Sequence, residues 1–371
     1  MSRLDRSSAS PYAMASRVST EVLLSNDVLP LIIVHLTRRE AINLSAVCRG
    51  LREILSANKF TYTARLVVVA SESNCLLDLC PKSGDVLHCA KVSARALRKD
   101  EKLSSFWPTG VAMSPYDGDY YVCQYKGQQV LQFRGSDLSF RGVAAKFPKG
   151  YMSPEGICFS KKCLYVVCAD PGAIWRFRKA IGTGLYEAMS AFSTDYLYQP
   201  AINNRSFCGH VPWGMTTGPD GNLYIAMEEG YKALKDVPLN QMTGSVVVAQ
   251  LDDEGKIVST AKFCGARGKR DERLCRPSGI SFDAEGNLYV TSLTDEVLMY
   301  KGPSTDRPGE FIKVVASWGG FVNCKARAGA LLPWDVKWHP GITGIGKGPL
   351  LLVTRHTEPK SCPAVQAKML V

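Results

Sequence analysis

A proline, one variable residue and a glycine recur along this chain, and that short motif constrains the fold more than any other feature. It stands at Pro108–Gly110, Pro154–Gly156, Pro212–Gly214 and Pro277–Gly279, with a variant at Pro333-Trp334-Asp335. An apolar alternating segment follows each one: VAMS, ICFS, MTTG, ISFD and VKWH. A tight turn comes next, clearest at Pro219-Asp220-Gly221-Asn222 and at Asp283 to Asn287. Second alternating segments then open at Tyr120, Leu164, Leu223 and Leu288, and third ones at Gln129, Ala173, Ser245 and Glu296. Asp-Gly and Gly-Asn pairs between alternating runs mark β-hairpins.

Repeated antiparallel units of this size bury their faces against one another and close radially, so the pattern predicts an all-β propeller. The repeat resembles the NHL and SMP-30/gluconolactonase type of six-bladed propeller, most closely in PSGISFDAEGNLYVTS. Residues 65–89 read as a blade lacking its inner strand. The fifth entry, Leu350–Val353 and residues 364–371 read as a blade lacking its outer strand. The expectation is six blades of four antiparallel strands across 61–371, with incomplete or unusual closure.

In an antiparallel blade the loops divide between two faces. The long connections, 193–211, 228–244, 264–276 and 318–332, all fall on one of them. Long loops on a rigid scaffold commonly carry binding, so this face is the expected recognition surface. The variable residue of each entry points toward the central channel there: Thr109, Glu155, Trp213, Ser278 and Trp334. The two tryptophans either anchor a partner or wedge between blades. The loop Gly265–Arg273 adds Lys269, Arg270 and Arg273 as a basic contact or as solvated charge. The expected target-binding set is thus Glu155, Trp213, Trp334, Lys269, Arg270 and Arg273.

Enzymes of the SMP-30 kind hold a divalent metal through carboxylate and Asn oxygens at the channel mouth, the hard ligands such an ion prefers. The corresponding entries here carry Thr109, Trp213 and Ser278, and Glu155 alone fits. Asp170, Glu228, Asp295 and Asp335 lie near blade ends but match no motif, and Arg355-His356 lacks an orienting partner. There is no G-x-S-x-G elbow and no G-x-x-x-x-G-K-S/T loop. No catalytic residue, cofactor or metal is expected on these grounds, and the reading is of a non-catalytic protein, with a metal-dependent SMP-30/lactonase-like hydrolase as the lesser alternative.

The N-terminal part has a different period. Leu24, Val28, Leu29, Ile32, Ile33 and Leu36 recur at helical spacing, and Leu44, Val47, Leu51, Ile54 and Leu55 continue after the polar break Thr37–Glu40. Ser25 or Asn26 can cap the first helix. The segment resembles an F-box, with Leu24, Asp27, Val28, Leu29, Ile32, Ile33 and Leu36 in the first register and Leu44, Val47, Cys48, Arg49 and Arg52 in the second. Ser25 and Leu51 depart from the Pro and Trp usual in the family. The resemblance implies a short all-α F-box at 21–60, after a Ser-rich tail at 1–20. It also implies Skp1 contact through Leu24, Val28, Leu29, Ile32, Ile33, Leu36, Leu44, Val47, Cys48 and Leu51. The function it implies is that of a substrate-recognition adaptor of a Skp1–cullin–F-box ubiquitin ligase, with the propeller holding an unidentified protein target.

Composition adds limits. Lys and Arg exceed Asp and Glu by 45 − 34 = 11, which favours acidic partners and keeps RNA as an alternative target for an NHL-like disc. The 13 cysteines form no C-x2-C pair, and an odd number without a secretory signal points to reduced thiols in the cytoplasm or nucleus. No run of 18 apolar residues is present, so no membrane partner is expected.

Overall fold

The structure, a computed structural model, describes residues 66–70, 74–79, 86–92, 106–125, 127–135, 137–148, 152–170, 172–194, 210–229, 243–265, 274, 276–283, 285–292, 296–317, 321–322, 325–326, 332–339, 350–356 and 365–369. By its contacts the chain divides into Met1–Tyr62 with Pro115–Gly118, and Thr63–Ser114 with Asp119–Val371. The second unit holds all the described sheets and is described by itself. Among the described residues no helix is long and apolar enough to cross a membrane. The F-box-like segment lies outside the described residues.

The strands follow the repeat. The first sheet is β1 (Leu66–Ala70), β2 (Cys75–Leu79) and β3 (Val86–Ala90). The second is β4 (Pro108–Met113), β5 (Tyr120–Gln124), β6 (Gln129–Phe133) and β7 (Phe140–Lys146). The third is β8 (Met152–Ser160), β9 (Cys163–Asp170), β10 (Ala173–Lys179) and β11 (Tyr186–Ser193). A single parallel bridge, Tyr186 to Ala145, joins β11 to β7. The fourth is β12 (His210–Thr217), β13 (Leu223–Glu229), β14 (Thr243–Leu251) and β15 (Ile257–Cys264). The fifth is β16 (Ile280–Phe282), β17 (Leu288–Ser292), β18 (Glu296–Tyr300) and β19 (Phe311–Ser317). A two-stranded ladder, β20 (Phe321–Val322) and β21 (Lys325–Ala326), precedes the last sheet: β22 (Leu332–His339), β23 (Leu350–His356) and β24 (Val365–Met369).

Neighbouring sheets meet at their leading strands: β1 beside β4, β4 beside β8, β8 beside β12, β12 beside β16, and β16 beside β22. The result is a propeller-like, nearly closed array of meanders. The middle four sheets have four strands each, and the first and last described sheets have three, the number expected of the incomplete blades at the two ends.

The core lies between sheets, as radial packing requires. Tyr121 of the second sheet meets Phe159 and Tyr186 of the third edge-on. Tyr165 and Val167 of the third share a cluster with Ile225 and Met227 of the fourth. Tyr224 of the fourth packs edge-on against Phe282 of the fifth. Second strands are covered on both faces, so β5 and β17 are buried throughout. Cys158 and Cys168 are buried in these layers, where thiols serve as small hydrophobes.

The repeat's Asp, Asn and Tyr are explained by the turns on the other face. Asp220 Oδ1 accepts the Asn222 N–H at 3.2 Å, and its Oδ2 accepts Asn222 Nδ2 and the Tyr224 hydroxyl, each at 2.9 Å. Asp283 does the same for Asn287 and the Tyr289 hydroxyl. The Gly between them adopts a left-handed φ of 80° at Gly221 and 85° at Gly286, which a side chain would strain.

Candidate axial site

Three of the four proline–glycine entries become β-bulges. The ladder slips between Pro108 and Val111, between Pro154 and Ile157, and between Pro212 and Met215. The variant does the same between Pro333 and Asp335. A bulge leaves residues out of the ladder and re-aims their side chains. Here it brings Thr109, Glu155 and Trp213 to the wall of one cavity, which Ser278 also lines. The glycines make this approach fit. A Cβ on Gly110 would strike the carbonyl oxygen of Glu155, and one on Gly214 would strike that of Ser278. One on Gly156 would lie 2.7 Å from the carbonyl oxygen of Trp213. Each glycine therefore receives the backbone of the variable residue in the next blade.

The cavity is small, about 30 Å³, room for a head group rather than a ring. Its apolar wall includes Val111, Ile157, Met215 and Ile280. The hydroxyls are already engaged: Thr109 Oγ1 donates to the Pro154 carbonyl at 2.5 Å, and Ser278 Oγ lies 2.9 Å from Thr291 Oγ1.

Glu155 differs. It is 7% exposed, and among the described residues its carboxyl has no hydrogen-bond or ion-pair partner. Burial pushes its pKa up to about 8, from an ordinary 4.5. The buried thiols of Cys123 on β5 and Cys168 on β9 are its charge-sensitive neighbours. Burial, more than any other influence, holds both thiols above their usual range.

A second carboxylate stands behind the wall. Glu228, at the end of β13, is buried, and its Oε2 accepts the Trp213 indole N–H at 2.9 Å. Arg276 Nε lies 2.5 Å from the other oxygen. Burial raises the pKa of Glu228, and Arg276 and Trp213 pull it back only in part. The relay Arg276–Glu228–Trp213 fixes the indole.

Glu155 and Trp213 are thus together at the cavity, with Thr109 and Ser278. Trp213 is neither a loose anchor nor only a wedge, since it lines the wall and is tied from behind. Trp334 sits in the bulge of β22. Lys269, Arg270 and Arg273 lie outside the described residues, as do all ten expected Skp1 contacts from Leu24 to Leu51. Sequence reading noted Glu228 without a role and missed Arg276. The available signal was a charged residue ending an apolar strand and an arginine immediately before Pro277. Among the described residues the mouth offers a divalent metal few ligands. Among the described residues Glu155 is the one carboxyl on the cavity wall, and no cluster of three His, Cys, Asp or Glu can hold an ion.

No family model and no curated protein matches the chain. Solved structures similar to it include virginiamycin B lyase of Staphylococcus aureus, 14% identical over 83% of this chain and 77% of that one, with a TM-score of 0.45. Hydrazine synthase of Kuenenia stuttgartiensis is 14% identical over 82% and 92%, with a TM-score of 0.48. The PQQ-bound aldose sugar dehydrogenase of Streptomyces coelicolor is 16% identical over 70% and 80%, with a TM-score of 0.41. The expectation of a non-catalytic protein is corrected here. The structures named are of a lyase, a synthase and a dehydrogenase, a likeness that shows the fold alone, and the mouth of this chain holds a buried carboxyl of raised pKa, which the sequence did not disclose.

Proposed function

We propose that the propeller acts on a small molecule at the axial mouth, with Glu155 as the proton-transfer residue of a hydrolytic or eliminative reaction. The observation that carries this reading is the carboxyl itself: buried, open to a cavity, and without a partner among the described residues. A pKa of about 8 keeps the proton on Glu155 at neutral pH and makes its transfer nearly isoenergetic. The group gives its proton to a departing oxygen or nitrogen and recovers one from water or from the substrate. Trp213, held by Glu228 and Arg276, supplies a fixed wall against which the substrate is oriented. The test is calorimetric turnover on a panel of small lactones, esters and amides. Glu155→Gln is expected to lower kcat by roughly 10²–10⁴, the usual contribution of a positioned acid–base group. Equal turnover by the two proteins, or none in either, overturns the reading.

A second reading concerns the N-terminal segment and rests on the F-box-like registers of residues 24–55. In it, residues 21–60 dock a Skp1-type protein and, through it, a cullin, in the cytoplasm or nucleus. The propeller of residues 61–371 is then carried into a ubiquitin ligase. Apolar anchors spaced along helical faces suit helix-in-groove docking. The full chain is expected to co-purify with Skp1, and the Ile33→Asp, Leu36→Asp double variant is expected to lose it. Retention by the variant, or by neither protein, sinks this reading and leaves the axial site untouched.

A further inference from the structure

We infer that the axial cavity takes the protonated amino head of an alkylamine-bearing ligand, with the Glu155 carboxylate as its counter-charge. This goes beyond the proposed reaction at the same mouth and concerns binding alone, because a Glu155 carboxylate paired with an ammonium has no proton to give. Three observations converge. The first is the lone carboxyl, 7% exposed and without a partner among the described residues. A carboxylate held in a low-dielectric wall is stabilised by a cation placed against it. The second is the donor set. Calcium wants six to eight oxygens and magnesium a full octahedron. Beyond Glu155 the wall's side-chain oxygens are the hydroxyls of Thr109 and Ser278, both already in hydrogen bonds. The third is size and polarity. A cavity of about 30 Å³ bounded by Val111, Ile157, Met215 and Ile280 accepts an ammonium head and the start of an alkyl stem. A guanidinium is broader, and its five donors ask for several acceptors.

The charge balance is definite. In the empty site at neutral pH the carboxyl holds its proton, because burial raises its pKa to about 8. Among the described residues the other titratable groups facing it, Cys123 and Cys168, stay neutral. An arriving R–NH3⁺ therefore leaves R–NH3⁺ paired with –COO⁻ and sends one proton to solvent. Affinity rises as pH climbs toward 8 and falls again once the free amine loses its charge, at pH about 10.

The experiment titrates the full chain with n-butylamine, n-butanol and Ca²⁺ at pH 7, in buffers of differing ionisation enthalpy. The expected result is binding of butylamine with release of about one proton, no measurable binding of butanol or Ca²⁺, and at least tenfold weaker butylamine binding by Glu155→Gln. Butanol binding as well as butylamine, butylamine binding without proton release, or no butylamine binding by the folded protein overturns the inference. Proton release is read on the unaltered protein, so the result does not depend on the variant folding. Amine binding without turnover of any substrate keeps this inference and overturns the catalytic proposal. Turnover of neutral substrates without amine binding does the reverse.

Discussion

A carboxyl placed beside Cys123 and Cys168 under nearly complete burial resists ionisation, and that resistance has a stability consequence. Glu155 titrates near 4.5 when exposed to water and near 8 in the fold. The folded state therefore holds the proton over a window in which the unfolded state has lost it. Its stabilising effect is fully present below about pH 4.5 and is lost as pH rises through about 8. The slope is at most about 1.4 kcal/mol per pH unit. Urea unfolding at several pH values is expected to show the wild type weakening across that window and Glu155→Gln remaining flat. Above pH 8 the variant is expected to be the more stable protein by about 2–4 kcal/mol. Identical pH profiles for the two proteins would show that the carboxyl is compensated in the fold. A residue that costs stability at working pH is the kind kept for chemistry.

At the scale of the strand, the bulged entry determines how closely blades approach. Gly214 receives the carbonyl of Ser278, and backbone cannot swing aside as a flexible side chain does. Gly214→Ala is expected to cost roughly 3 kcal/mol, as overpacking against a fixed neighbour does. The readout is a lowered melting temperature with unchanged strand content by circular dichroism. A change below about 0.5 kcal/mol, the range of ordinary surface substitutions, would mean that the fourth and fifth sheets can separate there. The same elements show why the repeat was legible. Proline, glycine and the Asp–Asn–Tyr turn each answer a local backbone demand, so each leaves a mark in sequence. The turn between β8 and β9 meets the same demand with Lys161 and Lys162 at φ of 46° and 59°. Residues that seldom take that conformation left no such mark.

Over the whole molecule, what was legible was whatever repeats. The meander order follows from periodic signals, and the structure has its strands where the spacing placed them. The site's chemistry does not repeat, and much of it was hidden. Glu228 and Arg276 come from separate blades and meet only through the fold. The raised pKa of Glu155 depends on layers contributed by β5 and β9, which no local window contains. The three strands of the first and last described sheets, by contrast, were legible as incomplete blades. The proline–glycine entries separate two duties that usually compete within one segment. Their outer residues satisfy the architecture, and the middle position is left to vary, as Thr109, Glu155, Trp213 and Ser278 demonstrate. The mouth is thus a set of interchangeable sockets around an axis. Selection can refit one socket at a time, and so change what the disc accepts, without renegotiating how its blades are held.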